Sequence, residues 1–167
     1  MSILSAYRYF LLKKKSIAVN RQQRVIGFDT ASKIGILWNE ADEQARNILL
    51  EQIDFKHVTV KEMVFSDRKE KINETAFTRK NLNWLGFPTD EPFQHFIQTD
   101  FDLLLNLGVR PLFVFDALTA LSVASFKVGW DMNSLRYLDL SVDVGNRPEA
   151  SYLAEQMIIY IHQLNTK

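Results

Sequence analysis

Between Lys33 and Phe65 the chain reads as strand, helix, strand, and this restricts the possible folds more than any other feature. Lys33-Ile-Gly-Ile-Leu-Trp38 is a short apolar run of the kind buried on both faces of a sheet. Asn39 then caps a helix, with Asp42 in the first turn, where a carboxylate suits the helix dipole. Ala41, Ala45, Ile48, Leu49 and Ile53 give that helix one apolar face. His57–Phe65 reads as the second strand. A βαβ unit of this kind implies parallel pairing and a right-handed crossover.

The remaining elements extend the same pattern. Arg24–Phe28 is a candidate short strand ahead of the unit. Phe101–Leu107, Ser125–Gly129 and Tyr137–Val144 read as later strands, and Pro111–Leu121 as an internal helix. Pro148–Leu164 closes the chain as a helix with Ala150, Leu153, Met157, Ile158, Ile161 and Leu164 inward. Residues 66–100 open with a charged stretch, Asp67–Glu74, then carry Phe77, Trp84, Phe87, Phe93 and Phe96. A structureless connection of that length is unusual. Short helices are therefore expected over Asn81–Leu85, started by Thr78, and over Glu91–Gln98, folded across the sheet edge. The expected fold is a three-layer, Rossmann-like α/β domain with a mainly parallel sheet of about five strands and helices on both faces. It spans residues 25–167, preceded by a basic amphipathic segment at 1–24.

Charge is distributed unevenly. Twenty cations balance 20 acids, which argues against a dedicated nucleic-acid binder. Yet the first 28 residues carry +6 and no acid, and the remainder carries −6. Lys13–Lys15 follow the apolar run Ile3–Leu12, whereas a secretory signal has its cations first. The run is also too short and interrupted to span a bilayer. Leu4, Tyr7, Leu11 and Leu12 fall at helical spacing. Such a helix either packs on the body or touches an anionic membrane surface through Arg8, Lys13, Lys14 and Lys15.

The chain contains an internal echo. Asp102-Leu-Leu-Leu-Asn106-Leu-Gly108-Val-Arg110-Pro111 returns 37 residues later as Asp139-Leu-Ser-Val-Asp143-Val-Gly145-Asn-Arg147-Pro148. Glycine permits a sharp exit from a strand and proline suits a first helical turn. That would make each arginine a cap residue, yet arginine cannot accept the orphan backbone N–H groups. The donors must find Asn106, Asp143, water or an anion. Asn39, Asn106, Arg110, Asp143 and Arg147 are therefore the candidate anion site, at the carboxyl ends of the strands. The competing expectation is that the arginines pair with Asp116, Asp131 or Glu149 and the corners are structural.

Catalytic signatures are missing. There is no cysteine, and hence no thiol nucleophile or thiolate-bound metal. His57, His95 and His162 lack metal-helix spacing. No Gly-rich dinucleotide loop, Walker A loop or Gly-x-Ser-x-Gly elbow occurs. Asp100 with Asp102, or Asp139 with Asp143, form carboxylate pairs without an evident base or metal set. No cofactor, metal site or catalytic residue is assigned.

Two resemblances follow from particular segments. Phe28–Leu37, Phe101–Leu107, Leu121–Gly129 and Tyr137–Val144 resemble a family of bacterial domains of unknown function about as long as this chain. That implies a bacterial, cytoplasmic protein and no particular activity. Residues 101–130 resemble the acceptor-side half of heptosyltransferase-type glycosyltransferases. There, an Asp-Leu-Val-Ile-Asp-Leu strand leads through a helix to an Arg-Ile-Gly strand; Phe101–Leu107 and Phe126-Lys-Val-Gly129 take those places. Those enzymes add a second half for the nucleotide sugar, for which 167 residues leave no room. This second resemblance therefore implies the fold and, as chemistry, a subunit that borrows a partner's donor site. The leading expectation is a non-enzymatic binding or interaction domain, for a protein partner or a small anion. A glycosyltransferase-related subunit and a peripheral membrane protein are the alternatives.

Overall fold

A computed structural model describes residues 2–68 and 76–165, the last of these by its backbone only. The charged stretch Asp67–Glu74 therefore lies mostly outside the described residues.

Six strands form one sheet, all paired in parallel. They are β1 (Lys33–Asn39), β2 (Thr59–Phe65), β3 (Ala76–Phe77), β4 (Leu103–Asn106), β5 (Phe126–Gly129) and β6 (Leu140–Ser141). Their order is β3-β2-β1-β4-β5-β6, the doubly wound order in which the connections reverse direction between β1 and β4. β1 and β4, the central strands, are almost wholly buried, as their unbroken apolar runs require.

Five α-helices cover the sheet: α1 (Ile3–Ile17), α2 (Glu43–Leu50), α3 (Glu91–Gln98), α4 (Phe113–Leu121) and α5 (Ala150–Asn165). Alternation along β1 separates two cores. Ile34, Ile36 and Trp38 pack with Ala45 and Leu49 of α2 and Leu153, Met157 and Ile161 of α5. Leu37 faces the other way, into Phe93 and Phe96 of α3 and Phe115 and Leu118 of α4. α1 lies outside α4, with Leu12 buried against Phe113, Ala117 and Ala120. Tyr9 donates its hydroxyl hydrogen to Asp116 at 2.7 Å, and the Arg8 guanidinium stacks 4.6 Å from the Phe113 ring centre. The basic segment thus has one face on the body.

Several expectations are corrected. Arg24–Phe28 is not a strand; it tethers to Ser125 by one backbone hydrogen bond, Arg24 N to Ser125 O. The mainly parallel sheet of about five strands is present, with the two-residue β3 as a sixth strand that leaves no periodicity to read. The helix expected over Asn81–Leu85 is a single 3₁₀ turn at Arg79–Asn81, capped by Thr78. Beyond it Asn83 folds the chain back by accepting the Leu85 and Phe87 N–H groups. The strand expected over Tyr137–Val144 pairs only at Leu140–Ser141. Leu164, expected inward, is exposed near the end of α5. α4 and α5 begin two residues after Pro111 and Pro148, so neither arginine caps a helix. Phe77, Phe93 and Phe96 are buried together in the core on the α3–α4 side, Phe87 is buried between α1 and α4, and Trp84 is 75% exposed. No described helix is long and apolar enough to cross a membrane.

Candidate functional site

The echoed segments do matched structural work at both ends of their strands. At the entrance to β4, Asp102 donates its N–H to Lys33 O, and its carboxylate accepts Lys33 N–H at 3.1 Å. At the entrance to β6, Asp139 N–H bonds Lys127 O and its carboxylate accepts Lys127 N–H at 2.8 Å. Each aspartate thereby clasps the neighbouring strand. At the exits, Asn106 accepts Gly108 N–H and Asp143 accepts Gly145 N–H, both at 2.8 Å, making two Asx turns. Next, Leu112 N–H reaches Arg110 O and Glu149 N–H reaches Arg147 O, both at 2.8 Å, closing a tight turn around each proline. The fixed φ of proline suits the centre of such a turn. This is why the helices start two residues later than a first-turn proline would have them.

Gly108 is needed for close approach rather than unusual φ. A Cβ there would sit 2.7 Å from the buried Phe115 ring. Gly108→Ala should therefore cost about 1–3 kcal/mol by overpacking, read as a lowered urea midpoint with unchanged slope.

The five candidate anion-site residues are only partly brought together. Asn106 is buried and fully engaged, its amide N–H bonding Thr119 at 3.0 Å. Arg110 pairs with Asp42 at 3.1 Å. Arg147 pairs with Glu149 at 3.1 Å and stacks on Tyr152. Asp143 is exposed at its corner. Asn39 is buried and accepts Ala41 N–H, but its side-chain amide N–H₂ has no partner among the described residues. A hollow of about 390 Å³ does open at these strand ends, where the connections reverse; it is lined by Asp42, Arg110 and Glu149 among others. Both arginine pairs are exposed, so replacing Arg110 and Arg147 together by glutamine should move stability by no more than about 0.5 kcal/mol in either direction, checked by thermal unfolding.

A larger cavity, about 810 Å³, lies on the α4 side of the sheet between α1, β5 and the β5–β6 connection. The connections from β1 to β2, β3 to β4 and β4 to β5 each carry a helical element, but residues 130–139 cross from β5 to β6 without one. The space is walled instead by α1, through Tyr9, Phe10 and Lys13, and by Ala120 at the end of α4. Phe126 and Val128 face the α2–α5 core. Alternation therefore sends Lys127 to the opposite face, where it lines this cavity.

Lys127 is 2% exposed, yet its ammonium makes no hydrogen bond or ion pair among the described residues. Asp139 attracts it, but that carboxylate already holds Arg21 through two bonds of 2.7 Å and accepts from Gln23. Burial, and then the Arg21 charge, push the Lys127 pKa down to about 7. Lys13, Arg21, Lys127 and Arg136 all line the cavity, and no lining residue is an acid.

The connecting loop is held in a strained form. Ser134 and Arg136 have φ of 53° and 60°, where residues with a side chain are disfavoured. Asp131 fixes this geometry by accepting Leu135 N–H and Arg136 N–H at 2.8 Å each. Sequence reading missed this site. The available signal was one lysine at an inward position of an otherwise apolar strand, Ser125-Phe-Lys-Val-Gly129. Among the described residues no cluster of metal-ligating side chains forms.

The described residues form an α/β domain with a cationic cavity beside β5 and a hollow at the strand ends. Residues 5–164 match a family of unknown function (DUF6913), and the chain belongs to that family. No curated protein and no solved structure matches it significantly.

Proposed function

We propose that this chain is a non-enzymatic binding domain for a small anionic molecule, held in the cavity between α1, β5 and residues 130–139. The observation that carries this is Lys127, a residue only 2% exposed whose ammonium has no hydrogen-bond or ion-pair partner among the described residues, on a cavity whose charged lining residues are all cations. A buried charge is costly unless paired. A carboxylate, sulfate or phosphate group would supply the missing partner, with Lys13 and Arg136 as further donors at the wall. The cavity is of the size usual for small-molecule sites. A cytoplasmic location is part of the proposal, in keeping with a chain that has no cysteine.

The strand-end hollow is the second reading. Its support is its place at the reversal between β1 and β4, with Arg110 on its wall. Anion binding there would require Arg110 and Arg147 to leave Asp42 and Glu149. Titration with sulfate, followed by backbone amide NMR, separates the two. Shifts at residues 127 and 134–137 that are lost in Lys127→Met and kept in Arg110→Gln/Arg147→Gln support the first. Shifts at residues 40–44, 109–110 and 148–151 support the second, and no saturable shift contradicts both.

A further inference from the structure

α1 is apolar on two opposite faces. Leu12 and Tyr9 turn inward onto α4, as an amphipathic helix should. The opposite face should then be polar, but Ile3 and Tyr7 occupy it, 91% and 49% exposed, and Phe10 and Ile17 flank it at the rim of the cationic cavity, 63% and 78% exposed. Ile3, Tyr7 and Phe10 form an exposed apolar patch, the exposed Lys14 follows at the same helical spacing before Ile17, Lys13 and Lys15 are exposed beside it, and no acid occurs before Asp29. Contiguous exposed apolar surface of this kind marks an interaction site.

We propose that this outward face of α1 docks in the plane of an anionic bilayer surface. At 15 residues, α1 is about 22 Å long, too short to span a bilayer but suited to lie in the interface. Its apolar patch enters the headgroup boundary while Lys14 and Lys15 meet anionic lipid; apolar area plus flanking cations is the combination such helices use. The inward contacts through Tyr9, Leu12 and Arg8 hold the helix on the body, so docking needs no unfolding. A second copy fits the face less well, because a two-fold contact would set the three lysines against themselves.

The test is flotation of the full chain with vesicles of phosphatidylglycerol and phosphatidylcholine in equal parts, against phosphatidylcholine alone. The protein should float only with the anionic vesicles. Lys14→Gln/Lys15→Gln should weaken binding roughly thirtyfold, about 1 kcal/mol per lysine. Ile3→Glu/Tyr7→Glu should abolish binding with the thermal midpoint unchanged. None of these four residues lines the cationic cavity, so sulfate binding there stands or falls separately. Equal flotation with neutral vesicles, no flotation at all, or unaltered binding by either variant overturns the proposal. So does a dimer in light scattering that Ile3→Glu/Tyr7→Glu dissolves while vesicle binding is absent, since a second copy then covers the face.

Discussion

Asp139→Ala should lower the unfolding free energy by about 3–5 kcal/mol, the range for removing one partner of a buried charge pair. Its carboxylate is only 13% exposed and serves four donors: both Arg21 guanidinium nitrogens, the Gln23 amide and the Lys127 backbone N–H. Arg21 also holds Ala124 O, so the side chain cannot swing to water without breaking a second tether. Removing the carboxylate leaves the arginine and the buried Lys127 ammonium facing each other without an opposing charge. It also frees the Lys127 N–H at the edge where β6 attaches. Burial alone would raise the Asp139 pKa, but the Arg21 and Lys127 hydrogen bonds outweigh it and hold the group below its ordinary value. A carboxyl with a depressed folded pKa stabilises the fold above its unfolded value and loses that contribution as pH falls through the folded one. The deficit of the variant, measured by urea unfolding, should therefore be full at pH 7 and shrink below about pH 4.

Lys127→Met should have the opposite sign, raising stability by about 2 kcal/mol or more at pH 6 while removing anion binding. Methionine keeps the length and apolar body of lysine without the charge. A lysine whose folded pKa is about 7 destabilises the charged fold fully below that value. Between there and the unfolded value of 10.5, the unfolded chain holds more protons than the folded one. Wild-type stability should thus climb with pH, by up to about 1.4 kcal/mol per unit between roughly pH 7 and 9.5. Tyr9 acts later, because burial and Asp116 push its hydroxyl above the ordinary value and the unfolded chain deprotonates first, near pH 10. The difference between the wild-type and Lys127→Met curves isolates Lys127. It should fall toward zero across that window.

The fold was legible wherever an element buried a continuous apolar run. β1, β4 and α3 fall within a few residues of where their side-chain patterns put them, because periodicity and burial agree there. Elements too short for a period were not legible: β3 has two residues and pairs only because β2 presents an edge. The echo was visible, but its purpose was not. Gly and Pro suggested a helix cap, whereas the backbone uses them in an Asx turn followed by a tight turn, and the arginines go to the partly buried Asp42 and the exposed Glu149. The two aspartates that open the echo proved to be clasps, each needing a neighbour distant in sequence. Lys127 was hidden for the same reason. A lysine in a strand reads as an edge or surface residue until tertiary contacts show which face it takes and that nothing pairs with it.

The central claim is most directly tested by the pH dependence of sulfate affinity, since sulfate keeps its charge between pH 6 and 9. If the anion pairs with Lys127, binding requires the protonated amine. Affinity should then fall roughly a hundredfold from pH 6 to pH 9, with an inflection near 7. Calorimetry in buffers of different ionisation enthalpy should show protons taken up on binding at pH 8, and Lys127→Met should bind no sulfate at any pH. Affinity that is flat across the range, or sulfate binding retained by Lys127→Met, would contradict it.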